Sequence, residues 1–487
     1  MKIMKKVLAM LVSMVMVLAF CVTGVAANVE LTQHTFAAYQ IFKGDFTEGN
    51  KLSNVTWGDG VQGENLLTEL KKQAAFATCK SAADVAKVLE TYNTDSTEAN
   101  AFAKIVATKV TATKTTGTGT VELPAAGYYL IVDTTDTTGK DDAKNLSFLK
   151  VNGAGTVTPT EKTDKPTLKK KVKDVNDSTG VGTDWQDSAD YDIGDEIPYK
   201  LTATMGDLSH YDHYYLKFHD TMTHLTLVEG SVEVKVGKTT LTKNQYTVNW
   251  DSTNKTMDVA IMDVKAHGAG TGTEVTVTYK ATLDTDAVLG STGNPNTADL
   301  EYSNNPNNTG DGTTKPNDTG KTPEDKNIVF TYKVTVNKVK ENQQPLKGAE
   351  FELSKKAKDG SWISKGKLTG TGDDQNVFEW KGLDDGDYKI EETTTPSGYN
   401  TIDPIEFTIT AEHEIDSADP KLTSLSGGDV FTGNVTTGAV SANIVNKSGS
   451  ILPETGGIGT TVFYVIGGML MAAAAILLIT KKRMNNK

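Results

Sequence analysis

The sequence predicts a mainly β protein built from three tandem β-sandwich domains, the first of which carries inserted helices. Short runs that alternate apolar and polar residues, bounded by turn residues, indicate antiparallel strands, for example at 127–133, 231–236, 274–279 and 332–336. A length of 487 residues allows about three domains once export segments are set aside. The hydrophobic fraction of 37% is sufficient for packed cores, so a disordered chain is excluded.

Helical periodicity is confined to the first domain. Ser81, followed three residues later by Asp84, resembles a capping box that opens a helix. Residues 64–76 and 97–108 also show the spacing of amphipathic helices. These helices are predicted as insertions into the first sandwich.

The net charge argues against nucleic acid as a partner, and the cysteine count argues against stabilisation by disulfides. The formal net charge is −13, which repels phosphate backbones, so nucleic acid is not an expected partner. The two cysteines are Cys21 and Cys79, and the first lies in a segment expected to be removed on export. The mature chain therefore has no internal disulfide, although exported proteins are normally braced by cystines.

Motifs of enzymes, cofactor sites and metal sites are absent or weak. The sequence contains no P-loop, no GxGxxG element and no GxSxG element. A group of histidines near two acids does not have the spacing of a tetrahedral zinc site, and an acidic stretch lacks the Gly and Glu spacing of a calcium loop. The residues concerned are His210, Asp212, His213, His219, Asp220 and His224, and Asp184, Asp187, Asp190 and Asp192. We therefore expect that the protein binds no metal and no cofactor and that it is not an enzyme.

Both ends of the chain carry export or membrane signals. Residues 1–27 combine a lysine-rich start, an apolar segment and small residues before the cleavage point, which is typical of a signal peptide. Residues 459–480 are apolar and long enough to span a bilayer as a helix. The basic tail at 481–487 keeps that end in the cytoplasm, so the domains lie outside the cell.

A pentapeptide precedes the apolar span: Leu452, Pro453, Glu454, Thr455 and Gly456. This LPETG motif, followed by a span and a basic tail, resembles the cell-wall sorting signal of Gram-positive surface proteins. The resemblance implies that a sortase cysteine attacks the Thr455 carbonyl, releases Gly456 onward, and holds an acyl-enzyme that an amine resolves. The membrane anchor is therefore expected to be temporary.

Shifts in composition indicate the domain boundaries. A proline-containing stretch at 156–166 closes the first domain, and an Asn, Gly, Pro and Thr-rich stretch at 304–326 is expected to be an exposed loop or linker. The predicted domains are residues 28–160, 165–325 and 328–448.

The third domain has the most specific sequence pattern. Its landmarks are a first strand with Lys338, a segment with Phe351, a strand with Tyr388 and Glu392, and a last strand with Asn446. This pattern resembles the B-type repeat domain of collagen adhesins. Together with residues 39–44 of the first domain and with the middle domain, the chain resembles a Gram-positive backbone pilin. That resemblance implies immunoglobulin-like sandwiches of the collagen-adhesin A and B types.

A lysine, an acid and an asparagine that meet inside a sandwich can form a cross-link. Desolvation lowers the pKa of a buried lysine and raises that of a buried acid. The neutral amine can then attack the carboxamide while the acid transfers protons, which expels ammonia and leaves an amide. In the third domain the family pattern implies Lys338 as nucleophile, Glu392 as acid and Asn446 as acceptor, with Glu391 on the opposite face.

The middle domain offers the same three residue types. Its first strand contains Lys169, Lys170 and Lys171, and alternation with the apolar Val172 selects Lys170 as the inward-facing lysine. By similarity to the family, Asp220 is the expected acid.

Two acceptors remain open for Lys170. Asn296 and Asn304 share one face of a single predicted strand, because their numbers differ by an even count. Asn296, which opens that strand, is the first choice and Asn304 is the rival.

A pilus shaft subunit also needs an exposed amine for the next subunit's Thr455. Lys162 lies where the first domain ends and resembles the pilin motif lysine, although the usual aromatic-Pro-Lys order is replaced by Thr-Pro-Thr-Glu-Lys. This departure leaves Lys165 as a rival.

Two functions follow from these features. The first is the structural shaft subunit of a covalent pilus on the Gram-positive cell wall. Its partners would be pilus-class and housekeeping sortases, identical subunits, minor pilins and peptidoglycan. The alternative is a monomeric wall-anchored adhesin that binds host matrix or glycan through its first domain.

Overall fold

Strands are the commonest regular structure in the computed structural model, which describes residues 27–47, 49, 51–449 and 458–484. The predicted mainly β class and the helical insertions in the first domain are confirmed. Residues 1–26 of the predicted signal peptide and the predicted sorting motif at 452–456 lie outside the described residues. The described residues form two compact units: the first contains most of the first two sandwich domains together with Glu412–Thr423, and the second contains the rest of the third domain together with Asn176–Gly180.

The first domain combines a five-stranded sheet with three α-helices. The sheet has the order β3-β2-β6-β7, and β4 also pairs with β2. Strands β5 and β8 form a separate two-stranded sheet. The short strand β1 pairs with β9, so the start and end of this domain lie side by side. The strands are β1 Ala27–Asn28, β2 Thr35–Thr47, β3 Lys51–Trp57, β4 Thr115–Thr118, β5 Val121–Leu123, β6 Gly127–Asp133, β7 Phe148–Asn152, β8 Gly155–Val157 and β9 Asp164–Lys165, and the helices are α1 Gly63–Leu70, α2 Ala82–Leu89 and α3 Thr97–Ala107.

Helices α2 and α3 begin and end close to the predicted positions, whereas α1 ends at Leu70, before the predicted end at residue 76, and a separate 3-10 turn follows at Ala74–Phe76. Helix α2 starts with the capping box that Ser81 and Asp84 predicted, since each side chain bonds the other residue's backbone N–H. The apolar faces of the helices pack with β2 and β6 in one core that includes Leu66, Val85 and Phe102. Cys79 is free and buried.

The second domain is a sandwich of two sheets. One has the order β10-β14-β21-β17-β18 and the other β13-β24-β22-β15-β20-β19. The strands are β10 Thr167–Val172, β11 Val175–Asn176, β12 Val181–Gly182, β13 Ser188–Asp190, β14 Glu196–Thr204, β15 Leu216–Met222, β16 Leu225–Leu227, β17 Glu233–Val236, β18 Thr239–Thr240, β19 Thr247–Asp251, β20 Thr256–Ile261, β21 Glu274–Leu283, β22 Asn294–Ser303, β23 Thr319–Lys321 and β24 Asp325–Phe330.

Strand alternation decides which side chains enter the core of the second domain. On β10, Lys170 and Val172 are fully buried, whereas Lys169 is exposed and Lys171 is half-buried. The inward direction predicted for Lys170 from its apolar neighbour is therefore confirmed.

Much of the stretch at 304–326 is an exposed loop, as its composition predicted, but some of its residues are buried. Asn304 and Asn305 are buried, and the Asn304 side chain donates to the Thr137 carbonyl at 2.8 Å. Segment β23 adds a short strand to β22. The side-chain amide of asparagine can donate hydrogen bonds to backbone carbonyls and accept them from backbone N–H groups. An Asn-rich segment can therefore be buried when such partners are present. The second sandwich also continues through β24 to Phe330, beyond the predicted boundary at residue 325.

The third domain contains two sheets, ordered β28-β25-β33-β32 and β27-β26-β29-β30-β31. Its first and last main strands, β25 and β33, are parallel neighbours, and Lys338 lies opposite Ile444. The strands are β25 Tyr332–Lys340, β26 Glu350–Lys356, β27 Trp362–Thr369, β28 Val377–Leu383, β29 Gly386–Thr394, β30 Ile405–His413, β31 Leu422–Ser426, β32 Thr432–Asn434 and β33 Ala439–Asn446.

A single long helix follows the third domain. Helix α4 covers Ile458–Met484, and within it Val462–Lys482 is long and apolar enough to cross a membrane. The described side chains of α4 are almost all exposed. The helix therefore has the properties of the predicted transmembrane span.

Candidate functional site

The first candidate site lies in the core of the third domain and joins three strands. Lys338 lies on β25, Glu392 on β29 and Asn446 at the end of β33. Lys338 and Asn446 are fully buried, and the Glu392 side chain is buried with them. Glu391 points to the other face, where it pairs with Lys389 at 3.0 Å. The sequence-predicted residues are thus brought together.

The contacts in this core connect the amine, the carboxamide and the acid in series. The Lys338 amine donates to Asn446 Oδ1 and, at 3.0 Å, to the Ile444 carbonyl. Asn446 Nδ2 donates to the two carboxylate oxygens of Glu392 at 2.9 and 3.1 Å. Glu392 Oε1 lies 3.9 Å from Lys338 Nζ. The acid therefore contacts the nitrogen that would leave, and the amine contacts the carboxamide that it would attack.

Burial changes the reactivity of Lys338. Desolvation lowers its pKa to about 8, and the Glu392 carboxylate opposes this shift only in part. The Phe351 ring, 5.7 Å from Nζ, forms part of the apolar surroundings. A lysine with such a pKa supplies neutral, nucleophilic amine near neutral pH.

The second candidate site lies between the two sheets of the second domain. Lys170 on β10, Asp220 on β15 and Asn296 on β22 are all fully buried. The Lys170 amine contacts Asp220 Oδ2 directly. Desolvation lowers the pKa of Lys170, although the charge of Asp220 acts in the opposite direction.

Asn296 reaches this cluster through a residue that the sequence reasoning missed. The hydroxyl of Tyr279 accepts from Lys170 Nζ at 2.9 Å and from Asn296 Nδ2 at 2.8 Å, and it donates to Asp220 Oδ2 at 2.7 Å. The ring of Tyr199 stacks on that of Tyr279, with 5.2 Å between centroids. On each strand the tyrosine lies an even number of residues from the buried apolar side chains and therefore shares their face, and this pattern is the signal that would have placed both tyrosines inside.

The rival acceptor Asn304 lies elsewhere. Its side-chain NH₂ donates to the Thr137 carbonyl and the Thr137 hydroxyl in the first domain. A third buried asparagine, Asn327, is the cross-strand neighbour of Asn296, but its NH₂ donates to the Lys170 and Asp187 carbonyls. Of the two predicted acceptors, Asn296 alone shares a hydrogen-bond partner with Lys170.

The two candidate polymerisation lysines differ in exposure. The Lys162 side chain is 19% exposed and its amine contacts Asp95. Its segment is fixed by Asn145, which accepts from Lys162 N at 2.7 Å and donates to the Thr160 carbonyl at 2.9 Å. Lys165 is buried, and its amine bonds the Asp141 carboxylate at 2.9 Å.

The first domain has no comparable cross-linking set among its described residues. Its one buried lysine there is Lys165, which pairs with Asp141 and not with an asparagine. Its buried charged cluster is His34 with Asp133, whose side chains bond at 2.6 Å. The candidate sites for an internal amide among the described residues are therefore those of the second and third domains.

The histidine and acid groups form ion pairs. His219 bonds Asp258 at 2.6 Å, while Asp220 is engaged by Lys170. In the first unit, His413 Nε2 lies 3.6 Å from both the Asp174 and Asp190 carboxylates. Burial disfavours the charged imidazole, but the two acids outweigh it and raise the pKa of His413 to about 9. The protonated ring therefore pairs with both carboxylates.

Three family models match separate parts of the chain. Residues 193–306 match the Gram-positive pilin backbone subunit 2, Cna-B-like domain. Residues 332–421 match the SpaA prealbumin-like fold domain, and residues 444–486 match the LPXTG cell wall anchor motif. The last match supports a surface protein anchored to the cell wall.

A curated relative is the trypsin-resistant surface T6 protein of Streptococcus pyogenes serotype M6, which is 35% identical over 132 residues. This match covers 26% of the chain and 23% of the relative, so the chain spans about a quarter of the relative's length.

One solved structure supports the fold, and a second is similar at a lower score. The T6 backbone pilin of serotype M6 Streptococcus pyogenes, described as a modular three-domain structure, has a TM-score of 0.51 at 18% identity, covering 88% of this chain and 98% of that chain. The full-length major pilin SpaD from Corynebacterium diphtheriae has a TM-score of 0.48 at 19% identity over 86% of this chain and 94% of that chain. The matched domains are those of structural subunits and not of enzymes. The chain therefore carries a domain similar to the Gram-positive pilin backbone subunit 2, a SpaA prealbumin-like fold domain and an LPXTG cell wall anchor motif.

Proposed function

We propose that the chain is the shaft subunit of a covalent pilus. A sortase would cleave after Thr455 and transfer its carbonyl to Lys162 of the next subunit, and a housekeeping sortase would attach the finished polymer to peptidoglycan. Identical subunits and minor pilins are the other partners. The main support for this proposal is that one chain matches both the pilin backbone domain and the cell wall anchor motif.

We propose further that two internal amide bonds strengthen each subunit. In the third domain the neutral Lys338 amine attacks the Asn446 carboxamide, and Glu392 delivers a proton to the departing nitrogen. The contact of Asn446 Nδ2 with Glu392 supports this assignment. In the middle domain Lys170 attacks Asn296, assisted by Asp220. Each reaction occurs once and releases ammonia.

Lys162 is preferred to Lys165 as the acceptor amine because it is the more exposed of the two. The Lys162 amine has one side-chain partner, Asp95, which is itself 57% exposed. The Lys165 amine bonds both a carboxylate and a carbonyl of Asp141 and lies largely inside. An incoming acyl-enzyme has a shorter path to Lys162.

A denaturing gel of wall extracts tests the shaft function. Cells with the wild-type chain should show a ladder of high-mass species, since sortase-made amide bonds survive boiling in detergent. Lys162→Ala should reduce the ladder to monomer, while Lys165→Ala, the matched control, should retain it. A wild-type chain that runs only as monomer would favour the wall-anchored adhesin instead.

A further inference from the structure

The two lysine, acid and asparagine sets differ in how the acid reaches the carboxamide. In the third domain both carboxylate oxygens of Glu392 accept directly from Asn446 Nδ2, at 2.9 and 3.1 Å. In the second domain the hydrogen bonds of the Asp220 carboxylate go to Lys170 and Tyr279, both through Oδ2. Aspartate has one methylene fewer than glutamate, so a second group is required to span the distance to Asn296.

Tyr279 occupies the position of that group. Its hydroxyl bonds the attacking nitrogen, the acid and the nitrogen that would leave, at 2.9, 2.7 and 2.8 Å. It is 2% exposed, so water does not compete for these bonds. Asp220 Oδ1 and Asn296 Oδ1 have no hydrogen-bond partner among the described residues, so the phenol is the hydrogen-bonded connection between acid and carboxamide there.

We propose that Tyr279 is a catalytic residue that relays a proton between Asp220 and the leaving nitrogen of Asn296 during formation of the Lys170–Asn296 amide. This inference rests on the middle-domain bond of the proposed function and adds a residue to it. The third domain needs no such residue, because Glu392 makes the contact itself.

The relay balances without any external reagent. Lys170 Nζ bonds to Cγ of Asn296, and the proton that it loses passes to Asp220. Tyr279 gives its hydroxyl proton to Nδ2 of Asn296 and regains one from Asp220. The bond between Cγ and Nδ2 then breaks, and ammonia leaves. One amine and one carboxamide become one secondary amide and one ammonia.

The surroundings keep the phenol in the form that this role needs. Burial, followed by the negative charge of Asp220, holds the pKa of Tyr279 well above its usual value. The hydroxyl therefore carries its proton at physiological pH and can donate it.

The chain offers a matched control for this residue. Tyr199 lies opposite Tyr279 on the neighbouring strand, and its ring is at a similar distance from Lys170 Nζ, 5.3 Å against 5.5 Å. Its hydroxyl lies near Asn296 but makes no hydrogen bond of 3.5 Å or less to a described residue. Tyr→Phe at either position removes one buried oxygen and keeps the ring.

The experiment compares the full-length wild type, Tyr279→Phe and Tyr199→Phe by intact mass and peptide mapping at successive times after synthesis. Tyr279→Phe should form the Lys170–Asn296 link at least about 100-fold more slowly, the lower end of general acid–base contributions. Tyr199→Phe should link like the wild type. The Lys338–Asn446 link should be complete in every variant and reports a folded third domain, while resistance to protease reports a folded middle domain.

A second variant separates chemistry from folding. Asp220→Glu in the Tyr279→Phe background lengthens the acid toward Asn296 and should recover part of the lost link. The relay is overturned if Tyr279→Phe links as fast as Tyr199→Phe, or if a protease-resistant double variant links no faster than Tyr279→Phe alone. A wild type without the Lys170–Asn296 link would instead refute the bond of the proposed function.

Discussion

Lys338 and Asn446 lie on the first and last main strands of the third domain, and the amine of one contacts the side-chain oxygen of the other. These strands are parallel neighbours, so tension applied at the two ends of the domain acts along them in opposite directions. The hydrogen bonds between them would be loaded in shear. A covalent bond at this contact would carry the tension past the residues in between.

Removal of the acid should leave the third domain folded but not linked. Glu392→Gln preserves the shape of the side chain but removes the carboxyl group that would transfer protons. A link across 108 residues restricts the unfolded chain, so its loss should lower the free energy of unfolding by about 4–5 kcal/mol if the disulfide estimate applies. Urea unfolding followed by fluorescence of Trp362 and Trp380 measures this change. Glu391→Gln is the control, and equal stability of the two variants would contradict the role of Glu392.

Stability of the unlinked third domain should rise with pH. In Asn446→Ala, Lys338 stays buried beside Glu392 with no acceptor. The folded pKa of about 8 lies below the ordinary value of about 10.4, so between these pH values the unfolded chain binds a proton that the folded domain has released. Unfolding free energy should therefore increase from about pH 8 to pH 10. Adding Lys338→Met should remove this increase, and a flat profile in Asn446→Ala would contradict a depressed lysine pKa.

Single-molecule pulling should distinguish linked from unlinked domains. With the Lys338–Asn446 bond in place, the intervening chain cannot extend. In Lys338→Met the same 108 residues should be released on unfolding, adding roughly 350–400 Å of length. If the wild-type third domain lengthens by this amount under load, the bond does not carry the tension.

The middle-domain acceptor can be identified by mapping linked peptides. Lys170 should be joined to Asn296, and Asn296→Ala should abolish that link while Asn304→Ala retains it. Asn304 is occupied by bonds to Thr137, so it is not available to the lysine. A Lys170 peptide joined to Asn304 or to Asn327 would contradict the assignment.

Local sequence rules predicted the strands, the capped helix and the inward direction of Lys170. Each depends on alternation or on residues close in the chain, which a sequence displays directly. The choice between Asn296 and Asn304 is different, because both share one strand face and alternation does not separate them. It depends on strand register: Asn296 lies opposite Met222, two residues from Asp220, whereas Asn304 lies beyond the end of β22.

Two other features required tertiary structure. Tyr279 enters the site from a strand that contributes none of the three predicted residues, so only the packing of two sheets brings its hydroxyl to Asn296. The stretch at 304–326 has the composition of a loop, but Asn304 is buried and Asn307 half-buried because the first domain supplies partners for their side chains. Composition reports the polarity of a segment but not the partners that satisfy it.

Intact mass of the full-length chain tests the central claim most directly. Each internal amide removes one ammonia, about 17 Da, because the amine displaces the carboxamide nitrogen. The account predicts a loss of about 34 Da in the wild type and about 17 Da in Glu392→Gln, with the remaining link at Lys170. A wild-type mass equal to that of the unmodified sequence would contradict it.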